Sequence, residues 1–443
     1  MKVTFIVPAI GKKPGQRYIA TWKMEPLMVA ALAVLTPAHV QTELFDDRIE
    51  LIDYDTNTDL VAISVETYTA ARAYAIAARF RARGVPVVLG GYHVTLLPDE
   101  AADHADALVL RNAETVWAQV IADAEAGRLQ ARYDGGIGFG DAAPDKAIFT
   151  GKRYLPVGLV ETGRGCGHFC EFCAIAGYYG AHYHPRDVDA IVADVVASGR
   201  KLFFFVDDNL VADPENLMAL CDRLRPLKVM WAAQGTLELA REPELMAAMK
   251  SAGCEMILIG FESIEPESLA RMGKRWSTKL GDRRELVDRI HKAGIGIYAT
   301  FVLGYDGDTE ETFGATLDFA KQAGFFTAAF NHLLPFPGTR LYRRLTEEGR
   351  LLTPAWWLDD GYHYGQLAYR PKHLTPEQVS MMCRRARKEF AAPPVLADRG
   401  FKALRRGRLK MWPVYWAMNA RLGREVDEKF NVPIGHNLDE LPK

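Results

Sequence analysis

The sequence predicts an α/β protein: a doubly wound parallel sheet at the N-terminus, a second series of βα repeats closing into a full or partial barrel, and a mainly helical C-terminal extension. Three observations carry this reading. Apolar or β-branched runs of four to eight residues alternate with helix-length stretches, twice, along the 443 residues, which is the pattern of parallel sheets with crossover helices. A glycine-rich, motif-poor segment, Tyr133-Asp134-Gly135-Gly136-Ile137-Gly138-Phe139-Gly140, separates the two series and has low propensity for either regular structure. After Pro335-Phe336-Pro337-Gly338-Thr339 the strand signals stop and helical patterns follow. The expected boundaries are 1–130 for the first module, 131–156 for a linker, 157–345 for the barrel and 346–443 for the extension.

In the first series the strands are read at Val3 to Pro8, Thr42 to Phe45, Leu60 to Val65, Pro86 to Gly91 and Ala107 to Leu110. Several are apolar on both faces, as buried parallel strands are. Glu25 to Leu35, Thr69 to Arg83 and Glu114 to Glu125 carry helical periodicity between them. In such a sheet ligands bind outside the carboxyl ends of the strands. The loops to watch are therefore Ala9 to Trp22, Glu66 to Tyr68, Gly90 to Pro98 and Arg111 to Glu114. The second series reads as strands at Gly158 to Glu161, Leu202 to Val206, Val229 to Gln234, Met256 to Phe261, Gly296 to Leu303 and Thr327 to His332. The spacing leaves room for one helix between successive strands, so function is expected at the strand C-termini.

Composition narrows the classes. At 49% apolar and 25% charged the chain is neither disordered nor a collagen or coiled-coil rod. Lys plus Arg at 54 against Asp plus Glu at 56 leaves a net charge of −2, so no global field recruits nucleic acid. Val3 to Pro8 is too short for a signal-peptide core, and no apolar stretch reaches the ~18 residues of a membrane span. The first 165 residues contain no cysteine, unlike a secreted disulfide framework. A reducing, cytoplasmic setting is expected.

Three of the six cysteines fall within eight residues, in Glu161-Thr162-Gly163-Arg164-Gly165-Cys166-Gly167-His168-Phe169-Cys170-Glu171-Phe172-Cys173. Cys221, Cys254 and Cys383 stand apart and read as ordinary thiols. Three thiolates on a flexible loop can hold three irons of a [4Fe-4S] cluster and leave the fourth open. Zinc with His168 as fourth ligand, or unliganded thiols, are the competing readings.

This C-x-x-x-C-x-aromatic-C loop after a first barrel strand resembles the radical S-adenosylmethionine (SAM) superfamily, over about residues 155–345. The resemblance implies a partial (β/α)6 barrel, a [4Fe-4S] cluster on Cys166, Cys170 and Cys173, SAM chelated by the open iron, a 5′-deoxyadenosyl radical, and an electron donor such as flavodoxin or ferredoxin. It places Phe172 near adenine. It turns Asp207, Asp208 and Asn209, which end the second strand, toward the SAM site, and groups Gln234 with the cofactor-binding residues. Gly260, Glu262 and Ser263 end the fourth strand, where a carboxylate contacts the ribose or methionine part of SAM. Val302 belongs to the fifth-strand segment that packs on adenine. The bland alternatives are helix capping for Asp207, Asp208 and Asn209 and a surface ion pair for Glu262.

The parallel sheet ahead of such a barrel resembles the cobalamin (B12)-binding class of that superfamily, whose class B members are methyltransferases. Met24-Glu25-Pro26-Leu27, Asp46-Asp47-Arg48, Asp59 to Val65 and Gly90-Gly91-Tyr92-His93 carry the likeness. Ser64, Glu66, Gly90, Gly91, His93 and Glu114 are thereby implied as corrinoid contacts, glycine allowing close approach to a large flat ligand. Two departures stand out. The D-x-H-x-x-G motif is absent, which implies cobalt without a protein imidazole, and Arg111-Asn112-Ala113-Glu114 stands where relatives carry G-E-A-E. A flavodoxin-like domain binding nothing is the alternative, and for His93 the alternative is a helix cap.

Residues Arg399 to Arg424 hold eight basic and no acidic side chains, interleaved with Trp412, Tyr415 and Trp416. They predict either a solvated helical face or contact with an anionic membrane surface or a lipid-like substrate. Trp356, Trp357, Tyr362, His363 and Tyr364 are read mainly as core or interface, with lining of the substrate pocket the alternative. The leading function is a cobalamin-dependent radical SAM methyltransferase acting on an unactivated carbon of a small-molecule or lipid-like substrate. The same cofactors performing oxidation or cyclisation without net methylation, and a non-catalytic corrinoid- or SAM-binding protein, are the competing functions.

Overall fold

The computed structural model describes residues 1–140, 144, 146–407 and 409–439, with Leu409 described in its backbone alone. Arg408 of the basic run, residues 141–143 and 145 of the expected linker, and the last four residues lie outside the described residues. The chain forms two compact units, one of residues 1–156, 355–364 and 431–443, the other of 157–354 and 365–430.

The first unit is built on six parallel strands: β1 (Lys2–Val7), β2 (Gln41–Asp46), β3 (Leu60–Ser64), β4 (Val87–Gly90), β5 (Ala107–Leu110) and β6 (Arg132–Asp134). Their order is β2-β1-β3-β4-β5-β6, so the winding reverses between β1 and β3 and opens a crevice at their carboxyl ends. One face buries Val3, Phe5, Leu60, Ala62 and Val109 against Val29, Ala30, Trp117 and Val120. Helix Ala70–Ala82 packs on β3 and β4. The five expected strands are present within about one residue at each end. The sixth falls in the segment read as linker; it is only three residues long, too short for a periodic signal, and is set by Tyr133, whose hydroxyl donates to Asp123 at 3.0 Å.

The second unit contains β7 (Gly158–Val160), a short hairpin of β8 (Gly163–Gly165) and β9 (Tyr183–Pro185), then β10 (Leu202–Phe205), β11 (Met230–Gly235), β12 (Cys254–Glu262), β13 (Gly296–Leu303) and β14 (Thr327–His332). The row β7-β10-β11-β12-β13-β14 is parallel throughout and never reverses. That one-directional winding is a partial (β/α)6 barrel. Alternate residues divide its two faces: Phe203, Phe205, Trp231, Ala233, Ile257, Ile259, Ile297 and Phe301 are buried beneath the helices, whereas Phe204, Ala232, Gln234, Leu258, Tyr298, Thr300 and Val302 are half-buried on the inward face.

The C-terminal extension is shared between the units. Helix Pro376–Phe390 joins the barrel core through Val379, Cys383 and Phe390, and Pro393–Arg405 and Trp412–Lys429 follow it. Segments 355–364 and 431–439 belong to the first unit, where β15 (His363–Tyr364) pairs antiparallel with β16 (Val432–Pro433). Four of the eight basic residues of the run are engaged within the protein. Arg399 is 1% exposed and donates to the carbonyls of Phe325, Phe326 and Phe390, while Lys402, Arg406 and Arg421 pair with Asp398, Asp288 and Glu425. Among the described residues no helix is long and apolar enough to cross a membrane.

Candidate functional site

The cysteine loop leaves β7 and is shaped by the β8–β9 hairpin. Gly165 has φ +82°, and a Cβ on it would fall 2.1 Å from the His182 carbonyl oxygen; one on Gly163 would fall 2.1 Å from the Tyr183 hydroxyl. Only glycine lets the hairpin close there, and it delivers Cys166 at the end of the strand. Cys170 accepts the Cys173 amide at its carbonyl, 3.2 Å, and Cys173 begins helix Ala174–Tyr179. All three thiols are half-buried. Burial pushes Cys166 up to about 11 and Cys170 up to about 12, and raises Cys173 as well. Buried thiols of this kind become ligands when a metal supplies the compensating positive charge.

Among the described residues no three His, Cys, Asp or Glu side chains converge on a point suited to one metal ion. Thiols spaced around a loop instead fit a polynuclear cluster in which each binds a different iron. His168, the fourth ligand in the competing zinc reading, is otherwise engaged: its Nε2 lies 3.0 Å from Glu238 and its ring stacks on Trp276 at 3.9 Å. Cys221, Cys254 and Cys383 are buried core thiols.

The Asp207-Asp208-Asn209 stretch serves the loop rather than a helix. Asp207 is 1% exposed and accepts from the Thr162 amide at 2.6 Å, the Thr162 hydroxyl and the Gly163 amide at 3.1 Å. Both its oxygens are therefore committed to the turn beneath the cysteines, which corrects the expectation that it faces SAM. Burial outweighs those donors and pushes it up to about 7. Asp208 accepts from the Gly165 amide at 3.1 Å, and burial pushes it up to about 6. Asn209 donates to the Cys166 carbonyl at 3.2 Å, leaving its buried Oδ1 without a partner among the described residues.

At the end of β12, Glu262 adopts φ +60° where the register with β13 shifts. Its carboxylate pairs with buried Lys274 at 2.8 Å, and the same ammonium donates to the Gly260 carbonyl at 3.0 Å. A Cβ on Gly260 would lie 2.2 Å from Glu262 Oε1, so glycine makes room for the pair. Ser263 is fully buried and its hydroxyl accepts the Glu265 amide. It shapes the turn, and the expectation of a cofactor contact is corrected. Phe172 packs against the barrel core, and Gln234 and Val302 lie half-buried on the inward face.

Two elements had no signal in the sequence. Lys274 follows no motif, and only the fold brings it to Glu262. Glu171, between two cysteines, accepts from Arg344 at 2.6 Å and from the Tyr305 hydroxyl, while Arg344 also reaches Asp306 at 2.7 Å. That network ties the loop to the end of β13 and helix Arg340–Glu347.

The carboxyl edge of the first sheet is organised differently. Gly91 has φ +106°, and a Cβ there would fall 2.7 Å from the Val65 carbonyl oxygen. Ser64 and Gly90 are register partners beside it. Glu66 is exposed, its amide donating to Thr69 at 3.0 Å, and Glu114 is half-buried in the turn after β5. His93 does not join them. It is fully buried, with Nδ1 3.2 Å from Thr67 and Nε2 2.9 Å from Glu100, and Trp357 donates to the same carboxylate. Both nitrogens are committed, so His93 is a core residue, neither cap nor corrinoid contact. Asp47 accepts from the Ala9 amide and Arg72, and Arg48 donates to the carbonyls of Trp22 and Met24, fixing the loop after β1. The returning segment clasps that loop through the Gly435 amide, which donates to the Ile10 carbonyl at 2.6 Å, and holds helix Ala70–Ala82 through Asp439, which accepts from Arg72 at 2.9 Å.

A parallel doubly wound unit followed by a six-stranded barrel with three thiols at its mouth defines a radical SAM enzyme with an accessory α/β module. Residues 160–320 match the Radical SAM superfamily model. The chain is 30% identical over 369 residues to the bacteriochlorophyllide d C-12(1)-methyltransferase of Chlorobaculum tepidum, covering 80% of each. Among solved structures it is similar to the radical SAM methyltransferase TsrM of Kitasatospora setae, with cobalamin and [4Fe-4S] cluster bound (TM-score 0.61, 16% identity, 78% of each chain). It is also similar to the cobalamin-dependent SAM radical enzyme OxsB with aqua-cobalamin bound (TM-score 0.65, 14% identity, 99% of this chain and 77% of that one). The chain belongs to the radical SAM superfamily, in one family with the bacteriochlorophyllide methyltransferases.

Proposed function

We propose that this chain is a cobalamin-dependent radical SAM methyltransferase that places a methyl group on an unactivated carbon of an apolar, ring-containing small molecule, tetrapyrroles being the first class to test. The observation that carries the reading is the loop of three half-buried thiols, Cys166, Cys170 and Cys173, at the carboxyl end of an open parallel barrel. When bound, the cluster with SAM and the corrinoid supply a carbon-centred radical and a methyl group, the two things an unactivated carbon requires. The remaining work falls to side chains. Asp207, Glu171 and Arg344 hold the loop rigid, so that reacting groups keep a fixed geometry. Phe172, Asp208, Asn209, Gln234, Gly260, Glu262 and Val302 line the SAM side.

In the same reading residues 1–130, completed by 355–364 and 431–439, bind cobalamin, with Ser64, Glu66, Gly90, Gly91 and Glu114 at the crevice. The inward-facing Phe204, Leu258, Tyr298 and Val302 are uncharged, which suits an apolar substrate and excludes water. The bacteriochlorophyllide relative supports the tetrapyrrole class. A flavodoxin or ferredoxin supplies the electron. Exposed Phe401 (62%), Arg405, Lys410 and Val414 offer contact with an anionic membrane surface.

The test is anaerobic reconstitution with iron, sulfide and cobalamin, then incubation with SAM, dithionite and a bacteriochlorophyllide. Expected are 5′-deoxyadenosine and a product heavier by one CH2. Product without that gain identifies an oxidase or cyclase; no 5′-deoxyadenosine with any tetrapyrrole, hopanoid or phosphonate substrate defeats the enzymatic reading. Sedimentation with anionic vesicles checks the membrane contact.

A further inference from the structure

The turn that carries Lys274 is placed against the cysteine loop by backbone geometry, and the lysine's ammonium sits on Glu262 and the Gly260 carbonyl at the end of β12. Helix Pro266–Arg271 ends in a turn whose Gly273 has φ +82° and whose Lys274 amide returns to the Leu269 carbonyl at 2.7 Å. The same turn abuts the loop. The Met272 carbonyl accepts the Glu171 amide at 2.9 Å, and a Cβ on Gly273 would fall 2.8 Å from the Phe169 carbonyl oxygen and 3.6 Å from Cys170 Cα. A larger residue at 273 would push the turn, and Lys274 with it, away from the thiols.

Burying this ion pair is not explained by stability, since buried pairs are commonly no better than packed apolar residues. Three thiols, Glu262 and Asp208 give the site an excess of negative groups, and the turn that carries Lys274 lies against the backbone of Phe169, Cys170 and Glu171. One electron from an external donor, dithionite or a flavodoxin, must enter this site with no accompanying proton. A fixed cation beside it favours the reduced state because the interaction is screened little in a buried setting.

We infer that Lys274 is a positioning residue that sets the reduction equilibrium of the iron–sulfur site, with Glu262 and the glycine at 260 holding its ammonium in place. The inference rests on the proposed function, which supplies the cluster. Its test uses the full chain reconstituted anaerobically and an EPR-monitored redox titration. Lys274→Met is expected to shift the reduction equilibrium at least about tenfold toward the oxidised form, ~59 mV for one electron, with iron and sulfide content unchanged. Lys274→Arg should restore most of the shift. An unchanged midpoint in a fully loaded Lys274→Met overturns the inference. Should that variant load poorly because Glu262 is left unpaired, Glu262→Gln/Lys274→Met compared with Glu262→Gln isolates the lysine. Equal midpoints there, or loading by Glu262→Gln alone with failure of both lysine variants, overturn the potential-setting role. Failure of the unaltered chain to hold iron defeats the reading of the site instead.

Discussion

The carboxyl edges of the two parallel sheets are built on opposite plans. In the barrel, charged side chains serve the cysteine loop: Asp207 and Asp208 accept from its backbone, Glu171 anchors it to Arg344 and Tyr305, and the Glu262–Lys274 pair stands on the strand end and turn beside it. In the first unit most charged side chains near the strand ends are spent on one another and on loop carbonyls. Asp47 pairs with Arg72, Asp46 with Arg48 and His93 with Glu100, leaving Ser64, Gly90 and Gly91 at the crevice beside the Glu66 and Glu114 carboxylates. A site that must hold reactive ions needs directed charge, because Coulomb energy grows as water is removed. A site that must accept a large flat ligand needs bare backbone and a shape held open by ion pairs elsewhere.

The sharpest way to break this comparison is Cys170→Ala, which should abolish iron–sulfur absorbance while corrinoid content stays stoichiometric. Loss of both would mean the two edges are not independent. Next is Gly91→Val, which introduces a β-branched residue at φ +106° with a Cβ 2.7 Å from the Val65 carbonyl oxygen. Strain of ~1–3 kcal/mol is expected, read as a fall of about tenfold or more in corrinoid affinity with unchanged iron per chain. Wild-type corrinoid affinity in that variant would remove the bare-backbone argument.

Arg72→Met tests the clamps. Asp47 has no side-chain exposure and Arg72 only 6%, so the variant strands a buried carboxylate. A loss of ~3–5 kcal/mol is expected in urea unfolding of the first unit. Asp439, 60% exposed in its pair with the same arginine, should cost below ~1 kcal/mol when changed to asparagine. Similar losses for the two would show that the returning segment, rather than the buried pair, carries the stability.

What the sequence revealed and what it concealed follow the same division. Strands of four or more residues, and the three-residue β7, were legible, since alternation and β-branched runs survive without knowledge of neighbours. The three-residue β6, β8 and β9 were not, being set by Tyr133 and by glycines whose need for room exists only in three dimensions. The cysteine spacing was legible because the ligands are local. Asp207, Ser263 and His93 were assigned to cofactors by resemblance; the commitments of Asp207 and His93 depend on residues 45 and 26 positions away, whereas Ser263 is held by the Glu265 amide two residues on. Lys274 stayed hidden since nothing local distinguishes it from a surface lysine.

The last test concerns pH, is read as a slope, and separates the structural carboxylate from the reactive site above it. Asp207 is pushed from its ordinary 3.8 to about 7 by burial, so between these values the folded chain holds a proton that the unfolded chain has released. Stability of the iron-free chain therefore falls as pH rises through that window, and this contribution is flat on either side. One such proton contributes at most about 1.4 kcal/mol per pH unit. Asp207→Asn cannot titrate and should show a shallower decline in urea midpoint between about pH 4 and 7, the residual slope there including Asp208, which rises only to about 6. Parallel profiles for variant and wild type would mean that the Thr162 and Gly163 donors hold Asp207 ionised throughout. The second edge would then stabilise charge beneath the loop as firmly as the first does in its clamps.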